Sequence, residues 1–482
     1  MDARASGAAP LSGKLNAQLS VMMFLQYAIW GAWLPLFFSF AFEHRGFKIE
    51  EVGTLFSLAA VGALAAPFIS GQIADRYFNT EKFLCISHIV GAVMVWFLAT
   101  IESYLGLVIF GILYSIIYAP TLALTNSLAF HHLPDRDRDF GRVRVWGTVG
   151  WIVVGIGMGQ WLLHQHTPTE AQAQPDAVAA IQKMKPEDKA RAVEEVVKDL
   201  KDKVEVTTVE KEAALLKSET GKIVRKSQVA GMADSFKLSA ILGVILGVYC
   251  LMLPKTPPKQ GQQKFAPWEA LGEVKKMPLL ALFLISFPVA CIHQFYFVHT
   301  AGFLGNIKSE LADTINGFFG VGGGGLMTIG QIFEIVVLAA MPFVAKRASR
   351  KTLLTVGLIA YIVRFAVFAY STDLALIVPT LALHGLCFGC FFFVAFMIVD
   401  EETPANVRAS SQGLFNFVII GLGTIVGNLF AGYVGKFASA GGKLSYTKLF
   451  SVPMWVAIAC LAALLVMYPS KGRAAATEKA TP

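Results

Sequence analysis

LALIVPTLALHGLCFGCFFFVAFMI, residues 374–398, contains no Asp, Glu, Lys or Arg. A helix needs about 20 mainly apolar residues to cross the hydrocarbon core of a bilayer, and this stretch is long enough. Working outward from it, the same rule yields about twelve segments. They lie near 17–41, 52–73, 83–101, 105–129, 144–163, 235–253, 278–300, 318–343, 352–370, 374–398, 410–433 and 449–468. Lipid offers backbone groups no hydrogen-bond partners, so each segment is expected to be helical. The expected fold class is an all-α membrane protein.

Composition agrees. The chain has 482 residues, 55% hydrophobic and 15% charged, with a mean hydropathy of +0.58. Soluble proteins average about 25% charged residues. The net charge of +8 does not imply nucleic acid, because the basic residues are scattered over short loops and form no phosphate-binding stripe. All six cysteines lie in apolar runs, where a free thiol is a small hydrophobe. Cys387 and Cys390 have redox-motif spacing but no βαβ context. Residues 1–16 are polar and the first apolar run is long enough to span, so that run is expected to serve as an uncleaved insertion signal.

An even number of spans places both termini on one side. Loops after even-numbered spans, together with the termini, hold about 20 Lys and Arg against about 6 in the opposite short loops. Lys346, Arg347, Arg350 and Lys351 form the densest cluster. Both termini are therefore expected in the cytoplasm. Residues 165–233 are charged and helical in character, as in KPEDKARAVEEVVKDLKDKVEV, and read as an external cap or hairpin. The stretch 254–276, with PKTPPKQGQQK, reads as a cytoplasmic linker between an N-terminal six-helix half (1–253) and a C-terminal one (277–482). GVGGGG at 320–325 lacks the Gly-Lys-Ser/Thr of a phosphate loop and opens an apolar helix. Close helix packing or a bend accounts for it better.

Polar groups inside spans are costly and default to functional hypotheses. In span five, Arg144, Thr148 and Trp151 share a helical face. A cation, a hydroxyl and an aromatic plane suit a polar ring-shaped solute, although Arg144 placed there can equally snorkel to the interface. In span eight, Gln331 and Glu334 share a face. A carboxyl set among apolar residues can be carried neutral and can release its proton when water reaches it. Span seven carries His293, Gln294 and Tyr296, and span one carries Gln26, Trp30 and Trp33 on one face. These aromatics and amides either bind a heterocycle or pack. In span ten, His384 and Phe388 are one turn apart, and His384 either joins a proton path or bridges helices. Arg364 in span nine needs a partner that the sequence does not name, and a structural role is expected for it.

After span two, GQIADRYFNTEK (71–82) resembles the loop signature of the major facilitator superfamily. The resemblance implies Gly71, Asp75 and Arg76 as gating residues and a major facilitator fold of about twelve helices in two six-helix halves. The basic cluster that usually follows is degraded here to Phe-Asn-Thr-Glu-Lys. A narrower resemblance rests on LQYAIWGAWL, YAPTLALTNSLAF, VRVWGTVGW, IGQIFEI, VRFAVFAY and PANVRASSQGLF, in that order across both halves. Together these are similar to the nucleoside:proton symporter family. That likeness covers nearly every span but not the 165–233 insert. It implies a solute pocket of Arg144, Thr148, Trp151, Gln294, Gln331 and Phe388, with Glu334 beside them. Three positions depart from the family pattern: Phe297 replaces an asparagine, His384 a tyrosine and Gly389 an aspartate.

The resulting expectation is a secondary active transporter, not an enzyme, importing nucleosides by proton symport through alternating access. Solute binding falls to Arg144, Thr148, Trp151, Gln294, Gln331, Phe388, Gln26 and Trp30, and proton coupling to Glu334 and His384. The rivals are a proton-coupled carrier of another small polar metabolite such as a sugar, and a non-transporting membrane sensor. The expected partners are the solute, protons and membrane lipid. No cofactor, metal or nucleic acid is called for, and the protein is expected to be a monomer in the inner membrane.

Overall fold

A computed structural model describes residues 10–68, 79–199, 207–257, 267–307, 310–322, 324–345, 347–404, 408–440 and 443–469. Ten described helices are long and apolar enough to cross a membrane: Gly13–His44, Thr80–Thr100, Tyr104–His132, Asp139–Gln165, Thr208–Cys250, Leu279–Gly305, Arg350–Tyr370, Leu374–Glu402, Ser411–Ala438 and Tyr446–Met467. Ile49–Phe68 and Gly324–Val344 stand in the places of predicted spans two and eight. The expected gating residues Gly71, Asp75 and Arg76 lie outside the described residues.

Local chemistry sets many of the helix ends. Ser103, Ser349 and Ser445 accept from the backbone N–H groups of Gly106, Thr352 and Lys448 and so cap spans four, nine and twelve. Large apolar side chains such as Trp96, Ile241, Phe343, Phe437 and Val466 point outward, where lipid is their solvent. Three spans are not regular throughout. The helix of span one passes through a 3₁₀ turn at Leu34–Leu36, which contains Pro35, and ends in a π turn at Phe40–His44. Spans ten and eleven carry π segments at Cys387–Phe393 and Phe417–Leu422. Such bulges re-aim side chains and are frequent at functional sites.

Span eight differs from its predicted extent of 318–343. A separate helix, Glu310–Phe319, comes first, and the chain then turns through Gly320 (φ +76°) and Gly322 (φ +90°) before Gly324. Only glycine takes these φ values without strain. Gly320 also lies so close to span five that a Cβ there would fall 2.0 Å from the carbonyl carbon of Gly159. The glycine run is thus a bend that seats the start of span eight on span five.

The 165–233 segment forms three helices: Glu170–Lys183, Pro186–Asp199 and Thr208–Gly231. Reciprocal capping boxes, Thr169 with Gln172 and Thr207 with Glu210, start the first and third. The third runs almost directly into span six, Ala233–Cys250. It is anchored by Arg225, whose Nε and Nη2 donate to the two carboxylate oxygens of Glu43 at 2.7 and 2.5 Å, at the end of span one.

The two halves meet at the ends of the spans that lie beside this insert. Gln160 Nε2 of span five donates to the carbonyls of Gly317 and Phe318 at 2.8 Å. Lys436 of span eleven pairs with Glu50 of span two at 3.1 Å. Gly53 and Gly432 bring those two spans to backbone contact, since a Cβ at Gly53 would fall 2.8 Å from the Cα of Gly432. Deeper in, Ser57 donates to the carbonyl of Ile425 at 3.2 Å. These contacts join the two halves on the insert face of the bundle.

Candidate functional site

The site begins with glycines, because they decide how near the helices come. In the N-terminal half, a Cβ at Gly150 would lie 2.2 Å from the carbonyl oxygen of Phe24, and one at Gly31 would lie 3.0 Å from the Cα of Trp151. Spans one and five are therefore in backbone contact. Arg144, one turn before Thr148, lays its guanidinium over the ring of Tyr27 at 4.0 Å. Arg144 is thus stacked on span one. Thr148 and Trp151 follow on the same helix, both half-buried.

Across the bundle, a Cβ at Gly385 would lie 2.4 Å from the carbonyl oxygen of Phe333 and 2.8 Å from the N of Glu334. One at Gly330 would lie 2.9 Å from the Cβ of His384. Spans eight and ten are locked together here, with Glu334 and His384 facing one another. Glu334 Oε2 is 3.8 Å from His384 Nε2, with the histidine 1% and the glutamate 20% exposed. Span eight, which carries Glu334, also packs on span five of the opposite half. Gln331, one turn earlier, is buried, and its Oε1 has no hydrogen-bond partner among the described residues.

His384 belongs to an aromatic and cationic cluster. Its ring stacks on His293 (5.3 Å between centroids, 15° between planes) and on Tyr296 (4.8 Å, 23°). Arg364, fully buried, contacts its Nδ1 through Nη1 at 3.0 Å and lies 4.1 Å over the ring of Tyr296. The partner that the sequence could not supply for Arg364 is therefore His384 of span ten. His293 Nδ1 is 2.6 Å from the hydroxyl of Tyr361. Phe388 is half-buried, 6.4 Å from His293.

Other predicted residues lie farther from this centre. Gln294 Nε2 donates to Thr424 of span eleven at 3.3 Å, where Gly423 and Gly427 bring spans seven and eleven together. Gln26 is wholly buried and donates to Thr121 of span four at 2.9 Å, while its carbonyl accepts from Tyr118. Trp30 packs on Tyr118 at 5.6 Å. Both residues thus face span four within the N-terminal half. Sequence reasoning missed Tyr361 and Thr424. For Tyr361 a signal existed, because it stands three residues before Arg364 on one helical face.

Two of the three departures can be placed against their neighbours. A Cβ at Gly389 would lie 2.6 Å from Val337 Cγ1, so a side chain there requires Val337 of span eight to shift. Phe297 sets its ring edge-on to His384 and His293, at 5.8 and 5.3 Å, where the pattern has an amide.

Comparisons with known proteins agree with this architecture. The profile of the nucleoside H+ symporter family matches residues 13–182 and 219–473, leaving out the middle of the insert. The chain is 28% identical to a putative nucleoside transporter, YegT of Escherichia coli K12, over 86% of this chain and 83% of that one. It is 24% identical to the xanthosine permease of the same organism, over 90% and 91%. The crystal structure of the nucleoside transporter NupG superposes with a TM-score of 0.74 at 22% identity, covering 95% of this chain and all of NupG. The fold is that of major facilitator transporters, and the relatives are transporters, not enzymes. With the profile matching on both sides of the insert, the chain belongs to the nucleoside H+ symporter family, a family of multi-pass membrane transporters.

Proposed function

We propose that the chain imports nucleosides together with protons by alternating access, and that Glu334 carries the proton. The observation that carries this reading is the placement of Glu334 between the two halves. It faces His384 across the span eight–ten contact, on a span that packs against span five of the other half. An acid on a span that meets the other half, with a buried cluster facing it, can couple its charge to the relative position of the halves.

In this reading Arg144, Thr148, Trp151, Gln294, Gln331 and Phe388 receive the solute, and the unpartnered Oε1 of Gln331 is available to it. Gln26 and Trp30 support the site through span four. The lysine and arginine bias of the loops supports cytoplasmic termini, an external insert and an inner-membrane location. One charge moved through 100 mV is worth about 2.3 kcal/mol, or roughly 50-fold accumulation of a neutral solute, so one proton per solute suffices.

The test is uptake of radiolabelled uridine and adenosine into proteoliposomes, with and without an inward proton gradient. Gradient-dependent accumulation supports the reading, and absence of uptake of either solute by folded protein refutes it. Phe297 and Gly389, which replace polar partners by apolar surface, favour a second reading in which another small polar metabolite is carried. Competition of uptake by unlabelled sugars separates the two.

A further inference from the structure

Arginine has five N–H donors, no acceptor, and does not lose its charge in proteins. The 3.0 Å contact between Arg364 Nη1 and His384 Nδ1 therefore runs one way: the guanidinium donates and Nδ1 accepts. A ring whose Nδ1 accepts carries its proton on Nε2, and Nε2 is the atom that faces Glu334 Oε2 at 3.8 Å. Adding a second proton to the ring would aim an N–H at the guanidinium. We propose that Arg364 is a positioning residue that holds His384 as the neutral Nε2–H tautomer, keeping an N–H turned toward the Glu334 carboxyl, and that His384 is not a carrier of the transported proton.

The surroundings agree from every packed element. Arg364 and Tyr361 come from span nine, His293 and Tyr296 from span seven and Glu334 from span eight. Among the described residues Glu334 is the one acid in this set, and it faces Nε2 and not Nδ1. Arg364 is itself held, over Tyr296 at 4.1 Å and Tyr361 at 5.1 Å, so the guanidinium cannot swing away without leaving two rings. At 3.8 Å the Nε2–Oε2 separation is too long for a hydrogen bond in this state. A hydrogen bond there requires Glu334, whose side chain is the more exposed of the two, to rotate toward the ring. His384 thus contributes a dipole of constant sign, and the proton count of each cycle belongs to Glu334 alone.

This inference rests on the reading of Glu334 as the proton carrier, and its primary readout does not depend on transport. Full-length protein with ¹⁵N-labelled histidine is reconstituted in lipid, and the His384 signals are assigned by difference from His384→Gln. The expected spectrum shows one protonated ring nitrogen, Nε2, and one bare one, Nδ1, throughout about pH 5 to 8, the range in which a free histidine titrates. A doubly protonated ring within that range, or the Nδ1–H tautomer, overturns the proposal.

In proteoliposomes, His384→Gln keeps a side-chain N–H but cannot titrate. It is expected to slow uptake while leaving the steady-state accumulation ratio at a given gradient unchanged. Loss of accumulation with counterflow retained would mean that His384 carries a proton. Arg364→Met, if it folds, frees Nδ1 and adds a histidine titration step to the pH profile of uptake. That step is absent in Arg364→Met/His384→Gln, and an unaltered profile in folded Arg364→Met counts against the proposal. A failure of nucleoside uptake leaves the spectral test standing, so the two readings fail separately.

Discussion

The contact between spans eight and ten can be tested by adding a single methyl group. In Gly385→Ala the new Cβ would stand 2.4 Å from the carbonyl oxygen of Phe333, 2.5 Å from its carbon and 2.8 Å from the N of Glu334, where ordinary contact begins at 3.4 Å. These are backbone atoms of span eight, so no side chain can rotate out of the way. The helices must separate by about 1 Å at the level of the Glu334–His384 pair, and overpacking of this kind costs about 1–3 kcal/mol. A displacement of about 1 Å at a reacting group can cost about 100-fold in rate. The expected outcome is a loss of that order in the initial rate of proton-driven uridine uptake, with a modest fall in the unfolding temperature. Gly157→Ala is the control. That glycine is exposed on span five with nothing within 4 Å of its Cβ position, and alanine there stabilises the helix by about 0.5–1 kcal/mol. Uptake by Gly385→Ala at the rate of the control would show that the site tolerates a wider separation of spans eight and ten, and the geometric argument for Glu334 would fall with it.

Three further outcomes follow from the same geometry. Glu334→Gln is isosteric and is expected to abolish accumulation above equilibrium, a loss of about 50-fold at 100 mV, while counterflow of labelled uridine continues; full uphill uptake by this variant removes Glu334 as the proton carrier. Arg144→Lys keeps the charge but not the planar group stacked 4.0 Å over Tyr27. Its KM for uridine is expected to rise about tenfold with the accumulation ratio intact, and an unchanged KM would separate that stacking from solute binding. Arg225→Ala leaves the Glu43 carboxylate without its two donors, both side chains being largely buried at 15% and 20% exposure. A loss of about 2 kcal/mol is expected, less than for a fully buried pair. Thermal unfolding of Arg225→Ala, Glu43→Ala and the double variant measures it, and strictly additive effects would mean that the pair does not tie the insert to span one.

Much of this architecture could be read from the chain because lipid imposes a local rule. A stretch of apolar residues must be a helix wherever it crosses, so the spans and the insert lie close to where hydropathy places them. Span eight departs because its boundary is set by a neighbour. Gly320 turns against Gly159 of span five, and no property of residues 318–325 alone says that a second helix lies there to be met.

The candidate site divides along the same line. Helical periodicity says which residues share a face, and it grouped Arg144 with Thr148 and Gln331 with Glu334. It does not say what stands opposite. Gln26 and Trp30 share a face as expected, yet that face meets Thr121 and Tyr118 of span four. Arg364 read as a lone buried charge because its partner sits one helix away, past the loop between spans nine and ten. The glycines set both distances. Gly330 and Gly385 bring Glu334 within reach of His384, and Gly31 and Gly150 seat span five on span one, where Arg144 stacks on Tyr27. A glycine has no side chain to mark the helix it will touch, so its sequence position announces a close approach without naming the partner. The polar residues supply the chemistry of the site, while its geometry is held by residues that carry none.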